Sequence, residues 1–307
     1  MPKRSFNKRS IADKILKGDI RSASKLLTLI EDRDPAAVPV LETLYPHTGH
    51  AALIGVTGPA GAGKSALINH LISAFRQKKK SVGVLAIDPS SPLSGGALLG
   101  DRLRMRDHLT DKEVFIRSLA TRGAWGALSY ALFDAVHALD ALGKDILFIE
   151  TVGAGQDEVQ IAQLAETVLL ILSPGLGDEV QILKAGLLEI GDIVVVNKGD
   201  LPEAKSLYRQ IREWTRDRPV LLTSASKEEG LSALVSVIEK RSLQKENLTT
   251  RKSHFVREEL LSRLREAFME SLPPFSEEEI EAIRLRRENP YSFIRAWLKK
   301  GAVKNSF

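Results

Sequence analysis

Cysteine is absent from the 307-residue sequence, and aromatic residues make up only 6% of it. The lack of cysteine excludes a disulfide framework, a thiolate metal cage, an iron–sulfur cluster and a cysteine nucleophile, which leaves oxygen and imidazole ligands for any metal. No apolar run approaches the roughly 18 residues that a membrane span requires. The basic start MPKRSFNKRS is not followed by the apolar segment of a secretion signal. We therefore expect a cytoplasmic protein with no membrane segment.

The excess of one charge sign is also small. Lys and Arg together number 44 and Asp and Glu number 39, so the formal net charge is +5. Proteins that bind nucleic acid by neutralising phosphates concentrate basic side chains in a patch or stripe. Here charges of both signs are mixed along the chain, which is typical of a solvated surface. We predict no nucleic-acid partner.

Hydrophobic periodicity divides the chain into three parts. Residues 1–50 carry apolar side chains at spacings of three and four, which predicts an N-terminal extension of two short helices. Residues 51–245 alternate short apolar runs with longer amphipathic stretches, and residues 246–307 read as charged helices. Runs rich in Val, Ile and Leu that do not alternate suit strands buried on both faces of a parallel sheet. The predicted strands are Ala51–Thr57, Ser81–Asp88, Val114–Ser118, Asp145–Thr151, Thr167–Ser173, Asp192–Asn197 and Val220–Ser224.

This pattern predicts an α/β fold with a mostly parallel central sheet, helices on both faces, and helical extensions at both ends. The last extension, residues 246–307, has an apolar stripe that includes Phe255, Leu264 and Phe268. An apolar helix face does not reveal whose core it enters. It fits either a cap on the sheet or a dimerisation arm.

A phosphate-binding motif follows the first predicted strand. The segment Gly58–Ser65 fits G-x-x-x-x-G-K-[ST] and opens an amphipathic stretch, so strand, loop and helix occur in the required order. Its glycines let backbone N–H groups turn toward a phosphate chain, the helix N-terminus adds partial positive charge, and Lys64 reaches the β and γ phosphates. The residues predicted to contact nucleotide here are Gly58, Pro59, Ala60, Gly61, Ala62, Gly63, Lys64, Ser65 and Ala66.

A magnesium site is predicted beside this loop. Ser65 would bind Mg²⁺ through its hydroxyl, as the P-loop serine does. Asp88 and Glu150 each close an apolar run, and the carboxyl ends of parallel strands meet at one edge of a sheet. We therefore predict Ser65, Asp88 and Glu150 as metal ligands. Gly153 follows Glu150 closely, and its lack of a Cβ would let its N–H approach the γ-phosphate.

The choice of base is indicated by Asn197-Lys198-Gly199-Asp200, which fits N-K-x-D after an apolar run. Asp200 would accept hydrogen bonds from N1–H and the N2 amine of guanine, whereas adenine lacks that donor pair. Lys198 would cover the base plane and Asn197 would brace the loops. Ser224, Ala225 and Ser226 would offer a backbone N–H to guanine O6. The motifs together predict binding of GTP and GDP.

The ordered motifs resemble the MeaB/ArgK family, the GTPases that accompany methylmalonyl-CoA mutase. The resemblance implies a P-loop G domain at residues 51–245, a homodimer, and metal binding by Ser65, Asp88 and Glu150. It also implies that an adenosylcobalamin-dependent acyl-CoA mutase is the partner, whose cofactor is loaded, protected or exchanged. The matching segments are Leu44–Gly49, Gly58–Ser65, Asp88–Ser91, Leu99–Met105, Phe115–Ser118, Thr121–Gly123, Glu150–Gln156, Gly177–Glu179, Asn197–Asp200 and Asn289–Tyr291.

The catalytic candidates are Lys64, Glu150 and Gln156, which would respectively stabilise charge on the phosphates, act at the metal and orient the attacking water. One segment departs from the family. After Arg122-Gly123 the chain reads Ala124-Trp-Gly-Ala127, where the family commonly carries a Gly-Gly pair. If that segment moves with nucleotide, its coupling to a partner would differ, so mutases of isobutyryl-CoA or related substrates stay open.

Two further functions are compatible with a P-loop. A kinase would pass a phosphoryl group to a small metabolite, and the guanine signature argues against it unless GTP is the donor. A GTPase that assembles a metallocentre would share the fold. It would favour a tract rich in His or Cys, whereas this chain has no Cys and six scattered His.

Overall fold

The structure is a computed structural model. It describes residues 8–88, 107–108, 110–120, 130–151, 161, 164–175, 186–215, 217–242, 245–271 and 274–304. The chain divides into two compact units, residues 1–258 and 259–307. The domain boundaries predicted at residues 50 and 245, which separate the G domain from its two helical extensions, stay predictions.

The first unit is built on one parallel sheet. Across the described residues this sheet has seven strands in the order β3-β2-β4-β1-β5-β6-β7, and every neighbouring pair is parallel. The strand bounds differ from the predicted ones by at most two residues at either end. The strands are β1 Ala52–Thr57, β2 Val82–Asp88, β3 Val114–Ala120, β4 Ile146–Thr151, β5 Thr167–Leu172, β6 Ile193–Val196 and β7 Val220–Leu222.

Helices cover both faces of the sheet, and further helices form the two ends of the chain. The predicted fold class is therefore confirmed. The helices are α1 Lys8–Ile15, α2 Ile20–Glu31, α3 Val38–Leu44, α4 Lys64–Gln77, α5 Tyr130–Ala141, α6 Leu187–Ile190, α7 Pro202–Trp214, α8 Leu231–Ser242, α9 Lys245–Ser271, α10 Glu277–Arg284 and α11 Pro290–Lys304.

Successive strand residues point to opposite faces, and this alternation separates the buried core into layers. On one face, Leu53, Leu147 and Ile149 join a core formed with α1, α2, α3 and α5. On the other face, Val56 and Phe148 join a core formed with α4 and α8. Both faces of β1 and β4 are thus covered, as their uninterrupted apolar sequences predict. The functional loops extend from the carboxyl ends of these central strands.

The N-terminal segment contains one more helix than predicted. The sequence favours two helices ended by prolines, yet α3 forms over Val38–Leu44 with Pro39 in its first turn. Proline is tolerated there because the N–H groups of the first turn have no partner within the helix. Val40 and Leu44 of α3 are fully buried. Their burial against α1, α2 and α5 stabilises this helix. The prolines alone predict a break in the chain here.

A charge cluster ties the last helices of the first unit to the sheet. Asp192, just before β6, accepts a hydrogen bond of 2.6 Å from Arg241 of α8 and another of 2.6 Å from Arg251 of α9. Its second oxygen accepts from the N–H of Val168 at 2.9 Å. A buried carboxylate needs such partners to offset its lost hydration. The cluster holds α8 and α9 against the amino ends of β5 and β6.

The second unit contains the end of α9 together with α10 and α11. Ser276 and Glu279 form a reciprocal capping box at the start of α10, a signal that marks a helix start in sequence. The ring of Phe275 lies 4.7 Å from the ring of Trp297 and 5.8 Å from that of Phe293. Leu260, Leu264 and Phe268, by contrast, are exposed at intervals of four residues along α9.

None of the helices in the described ranges combines the length and apolar character needed to cross a bilayer.

Candidate functional site

The loop between β1 and α4 has a backbone that only glycine adopts easily. Gly58 has φ 136° and Gly63 has φ 89°. A Cβ at Gly58 would overlap the carbonyl oxygen of Ile171, and one at Gly63 would overlap the amide nitrogen of Asn197. Two of the motif glycines are therefore required both by their dihedral angles and by close neighbours. The loop is packed directly against Asn197, the first residue of the N-K-x-D motif.

Lys64 begins α4 and points back across the loop that precedes it. Its ammonium donates hydrogen bonds to the carbonyl oxygens of Gly58 at 2.7 Å and Pro59 at 3.1 Å. Lys64 and Ser65 are both buried. The first N–H groups of a helix have no partner within the helix and carry partial positive charge. The start of α4 therefore combines a buried ammonium with a helix N-terminus, which suits a phosphate chain.

Ser65 meets the carboxylate predicted to share its metal. The Ser65 hydroxyl donates to Oε1 of Glu150 at 2.7 Å, and Glu150 is itself buried. Glu150 lies in β4, in register with Val56 of β1 and Ala86 of β2. Asp88 ends β2 at the same edge of the sheet.

The donor chemistry of this edge fits a magnesium ion. A hydroxyl and a carboxylate lie within hydrogen-bond distance in a buried position, and Mg²⁺ prefers oxygen ligands. Magnesium retains several waters and is usually held by one or two carboxylates together with substrate phosphates. Ser65 and Glu150 would hold it here, with Asp88 as the further candidate at the same edge.

Asn197 joins the phosphate loop to the base-side loops. Its side-chain amide donates to the carbonyl oxygen of Ala62 at 3.0 Å. Its Oδ1 accepts from the N–H of Ala225 at 3.2 Å and from the hydroxyl of Thr223 at 3.3 Å. Asn197 is buried. Segments 135 residues apart in sequence are thus connected through one side chain.

Asp200 is held in place by two serine hydroxyls. Its Oδ1 accepts from Ser224 at 2.6 Å and from Ser226 at 3.4 Å. The hydrogen bond from Ser224 is the main cause that lowers the pKa of Asp200 below its ordinary value. Asp200 therefore stays a carboxylate, an acceptor-only group, throughout the neutral range. Lys198 adopts φ 58° in the turn between Asn197 and Asp200.

The side chain of Asn197 connects the loop of the phosphate-binding motif with the loop at Ala225, and a family comparison bears on both motifs. The family model described as "Methylmalonyl Co-A mutase-associated GTPase MeaB" matches residues 23–273. The chain belongs to the MeaB family. By its description this is a family of GTPases associated with methylmalonyl-CoA mutase, so the predicted enzyme class, a GTP hydrolase, and the predicted guanine nucleotide binding are confirmed at family level.

Two relatives of this MeaB-family chain are informative. A Pyrococcus horikoshii protein whose name gives GTPase as an inferred activity is 52% identical over 201 residues, covering 66% of this chain and 63% of that protein. The chain thus spans slightly less than two thirds of that relative. The Cupriavidus metallidurans protein named Fused isobutyryl-CoA mutase is 35% identical over 240 residues, covering 72% of this chain and 22% of that protein.

A solved structure shares the MeaB-family fold. The crystal structure described as an LAO/AO transport system kinase superposes with a TM-score of 0.70, covering 97% of this chain and 99% of that chain. Only 20% of the residues are identical. The likeness therefore supports the fold of this chain and does not bear on whether it is a kinase.

Several predicted site residues lie at the positions that the motifs imply, and others lie outside the residues that the structure describes. Gly153 and Gln156 fall outside the described residues, as does the departure at Ala124–Ala127. Ala66 is in the first turn of α4. Of the three predicted N–H donors to guanine O6, that of Ser224 donates to the carbonyl of Glu229 and that of Ala225 to Asn197.

Three threonines of this MeaB-family site, Thr57, Thr151 and Thr223, belong to none of the motifs used to predict the site. The hydroxyl of Thr151 donates to the hydroxyl of Thr57 at 3.1 Å, which links the ends of β4 and β1 next to Glu150 and the phosphate loop. Thr223 supports Asn197, as described above. All three are buried. A β-branched residue at a strand end is common for reasons of propensity alone, so sequence offers no means to single them out.

The hydrogen bonds from Asn197 to Ala62 and from Ala225 to Asn197, together called the Asn197 bridge, should be sensitive to one exchanged atom. In Asn197→Asp the side chain keeps its acceptor toward Thr223 and Ala225 but loses the donor to Ala62, whose carbonyl then faces a carboxylate oxygen. We expect a loss of about 1–3 kcal/mol in the free energy of unfolding together with weaker GDP binding. Denaturant unfolding and nucleotide titration measure the two effects.

The matched control for this variant is Asn289→Asp. Asn289 is exposed, and its Oδ1 only accepts, from the N–H of Ser292 at 2.9 Å. Aspartate can perform the same capping function. Equal effects of the two variants on GDP affinity would contradict a bridging role for Asn197.

Proposed function

We propose that this chain is a magnesium-dependent GTPase that acts as a G-protein chaperone of an adenosylcobalamin-dependent acyl-CoA mutase. The observation that carries the nucleotide part is the Asn197 bridge, which connects the phosphate loop at Ala62 with the base-side loop at Ala225. A phosphate site and a guanine site at a constant separation suit a guanine nucleotide.

Base selection follows from Asp200. Its carboxylate would accept from N1–H and the N2 amine of guanine while Ser224 and Ser226 hold its Oδ1 in place. Adenine has no such donor pair, and an unpaired carboxylate in the site would disfavour it by about 1–3 kcal/mol. Lys198 would lie over the base, and Ser226 adds an N–H at the O6 side.

Hydrolysis would proceed by in-line attack of water on the γ-phosphate. Lys64 would exchange its hydrogen bonds to Gly58 and Pro59 for phosphate oxygens and stabilise their developing charge. Gly153 would donate its N–H to the γ-phosphate, and Gln156 would orient the water. Ser65, Asp88 and Glu150 would hold Mg²⁺, which when bound supplies positive charge opposite the β and γ phosphates.

The partner proposal rests on the family description and on the relative that is itself named as a fused isobutyryl-CoA mutase. We propose that the bound nucleotide changes how this chain contacts a mutase, and that this assists loading, protection or exchange of adenosylcobalamin. The substrate of that mutase is methylmalonyl-CoA or a related acyl-CoA such as isobutyryl-CoA.

The test measures GTP turnover by the purified chain with and without Mg²⁺, and with and without an adenosylcobalamin-dependent acyl-CoA mutase from the same organism. We expect turnover to require Mg²⁺, to be slow for the chain alone, and to rise with the mutase. Ordering of a catalytic site by a partner can increase the rate by about 10³–10⁵-fold. Turnover of several per second without a partner would contradict the proposal, as would a mutase that leaves the rate unchanged.

We further propose a homodimer. Leu260, Leu264 and Phe268 repeat every four residues on α9 and are each more than half exposed, so they form an apolar strip that association would bury. Light scattering at micromolar concentration should give twice the 33.8 kDa chain mass. A monomer under those conditions would contradict the dimer.

A further inference from the structure

A cavity of about 250 Å³ lies in the first unit, away from the nucleotide loops. It is lined by Ala51 and Leu53 at the start of β1, by Leu147 near the start of β4, and by Leu164 and Glu166 before β5. The nucleotide loops follow the carboxyl ends of the parallel strands, whereas this cavity lies at their amino ends. The proposed GTPase mechanism makes no use of it.

Aromatic rings form one wall of the cavity. Tyr45, which follows α3, has its ring 5.0 Å from the ring of His137 on α5. His137 lies 5.9 Å from Phe255 on α9, and both contacts are edge-to-face. Val136 and Val256 continue this apolar lining. The faces of aromatic rings carry negative electrostatic potential, and they attract cations that approach within about 6 Å.

The charged groups of the cavity carry an excess of negative charge. Asp140 is buried, and its carboxylate accepts from the N–H groups of Gly49, His50 and Ala51 at 2.6 to 3.3 Å. Lys252 is 3.3 Å from Oε1 of Glu166, and its ammonium also donates to the carbonyl oxygen of Gly49 at 3.0 Å. Two carboxylates, those of Asp140 and Glu166, thus share the cavity lining with one ammonium, that of Lys252.

Glu166 is the carboxylate with most to gain from a second cation. Burial is the largest influence on it and raises the pKa of Glu166 above its ordinary value, even though Lys252 opposes the shift. Its Oε2 has only a long contact, 3.5 Å, from the N–H of Leu53. A desolvated carboxylate gains more from a charge-assisted hydrogen bond than a hydrated one does.

We propose that this cavity binds a small organic cation, a primary ammonium attached to an apolar or aromatic body. The ammonium would lie between Glu166 and the aromatic wall, and the apolar body would fill the space beside Leu53, Val136 and Leu147. Size agrees with this class, because an apolar cavity of about 150 Å³ holds benzene and the present one is larger. The inference is independent of the proposed GTPase activity.

The test compares three probes of one shape that differ in charge: phenylpropylamine, phenylpropanol and phenylpropanoate. Binding to the full chain is measured by calorimetry at mildly alkaline pH, where the amine is still protonated. We expect the amine to bind about tenfold or more tightly than the alcohol, and the acid to bind least. Equal binding of amine and alcohol, tighter binding of the acid, or no binding of the amine at millimolar concentration would each overturn the proposal.

Two variants of opposite expected sign locate the site. Glu166→Gln should weaken amine binding about tenfold or more and leave alcohol binding unchanged. Lys252→Met removes the competing ammonium while keeping its apolar stem, so amine binding should tighten about fivefold. A merely structural role for these residues would not produce tighter binding. Weaker amine binding in Lys252→Met, or an unchanged affinity in Glu166→Gln, would overturn the assignment.

Folding of the variants is checked separately. Since the pKa of Glu166 is raised in the folded state, its ionised form is less favourable there than in the unfolded chain. Glutamine should therefore leave stability unchanged or higher at neutral pH, and the difference should vanish as the pH falls below the ordinary value of 4.5. Val256→Phe, at a position 41% exposed, narrows the cavity from its solvent side. It should weaken binding of amine and alcohol alike, and GTP turnover should be unaffected in all three variants.

Discussion

Lys64→Met is expected to lower the single-turnover rate of GTP hydrolysis by about 10²–10³-fold, the effect of removing one donor that stabilises developing charge. Methionine matches the apolar stem of lysine and lacks only the terminal nitrogen, so the buried start of α4 should still pack. What disappears is the ammonium that now lies 2.7 Å from the Gly58 carbonyl and is proposed to move to the phosphates. Affinity for GTP should fall less than the rate does, because negative charge grows on the leaving diphosphate as its bond to the γ-phosphate breaks.

Lys78→Met provides the matched control. Lys78 follows the C-terminus of α4 and pairs with Glu239 in an exposed salt bridge of 2.6 Å. Exposed pairs of this kind contribute about 0–1 kcal/mol. The control should therefore hydrolyse GTP at the unaltered rate. A Lys64→Met protein that is folded by circular dichroism and turns over GTP within threefold of the wild type would remove Lys64 from the mechanism.

Asp200→Asn should change the preferred base from guanine to xanthine. The carboxylate is proposed to accept from two guanine N–H groups, and an amide leaves one of these opposite another donor. Each buried polar group left unpaired costs about 1–3 kcal/mol, so GTP affinity should fall by about 10²-fold or more. Xanthine carries an oxygen in place of the N2 amine, and the new amide N–H can donate to it.

The structure indicates that this variant will fold. Asparagine retains an Oδ1 that can accept from the hydroxyl of Ser224, which now lies 2.6 Å from Asp200. Titrations with fluorescent GDP and XDP measure the ratio of the two affinities. The exposed Asp13→Asn, on α1, is the control and should leave this ratio unchanged. Retention of guanine preference by Asp200→Asn would contradict base reading by Asp200.

Much of this fold and of the candidate site can be predicted from sequence, because the conformation of each strand and of the phosphate loop depends mainly on residues that are neighbours in the chain. Short apolar runs locate all seven described strands, and the rule is strictest for the inner strands, because a strand buried on both faces leaves little room for polar side chains. The edge strands are less uniform: β3 contains Arg117 and Ser118, and β7 is only partly buried. The motif glycines and Lys64 are recognisable because a phosphate loop needs positive φ angles and a helix N-terminus. The rule that strand ends share one edge of a parallel sheet explains why Ser65 and Glu150 meet.

Other features depend on tertiary contacts and leave no local trace. The helix over Val38–Leu44 is stabilised by its burial against the first core layer, although Pro39 suggests a break. The support that Thr223 gives Asn197 depends on the proximity of β6 and β7. The cavity beside Glu166 arises where helices from three separate parts of the chain meet the amino ends of the strands, so no segment predicts it alone.

The Asn197 bridge also affects how a ligand would be assembled from its parts. Because one buried side chain connects the Ala62 and Ala225 loops by hydrogen bonds within the protein, the chain itself contributes to setting their spacing. Guanosine alone would occupy the base side of the site, and a triphosphate chain alone would occupy the phosphate side. In either case the other side would already lie at the distance that GTP requires. Joining the two halves covalently then confers mostly the advantage of effective concentration, and little binding free energy is lost to ordering the loops.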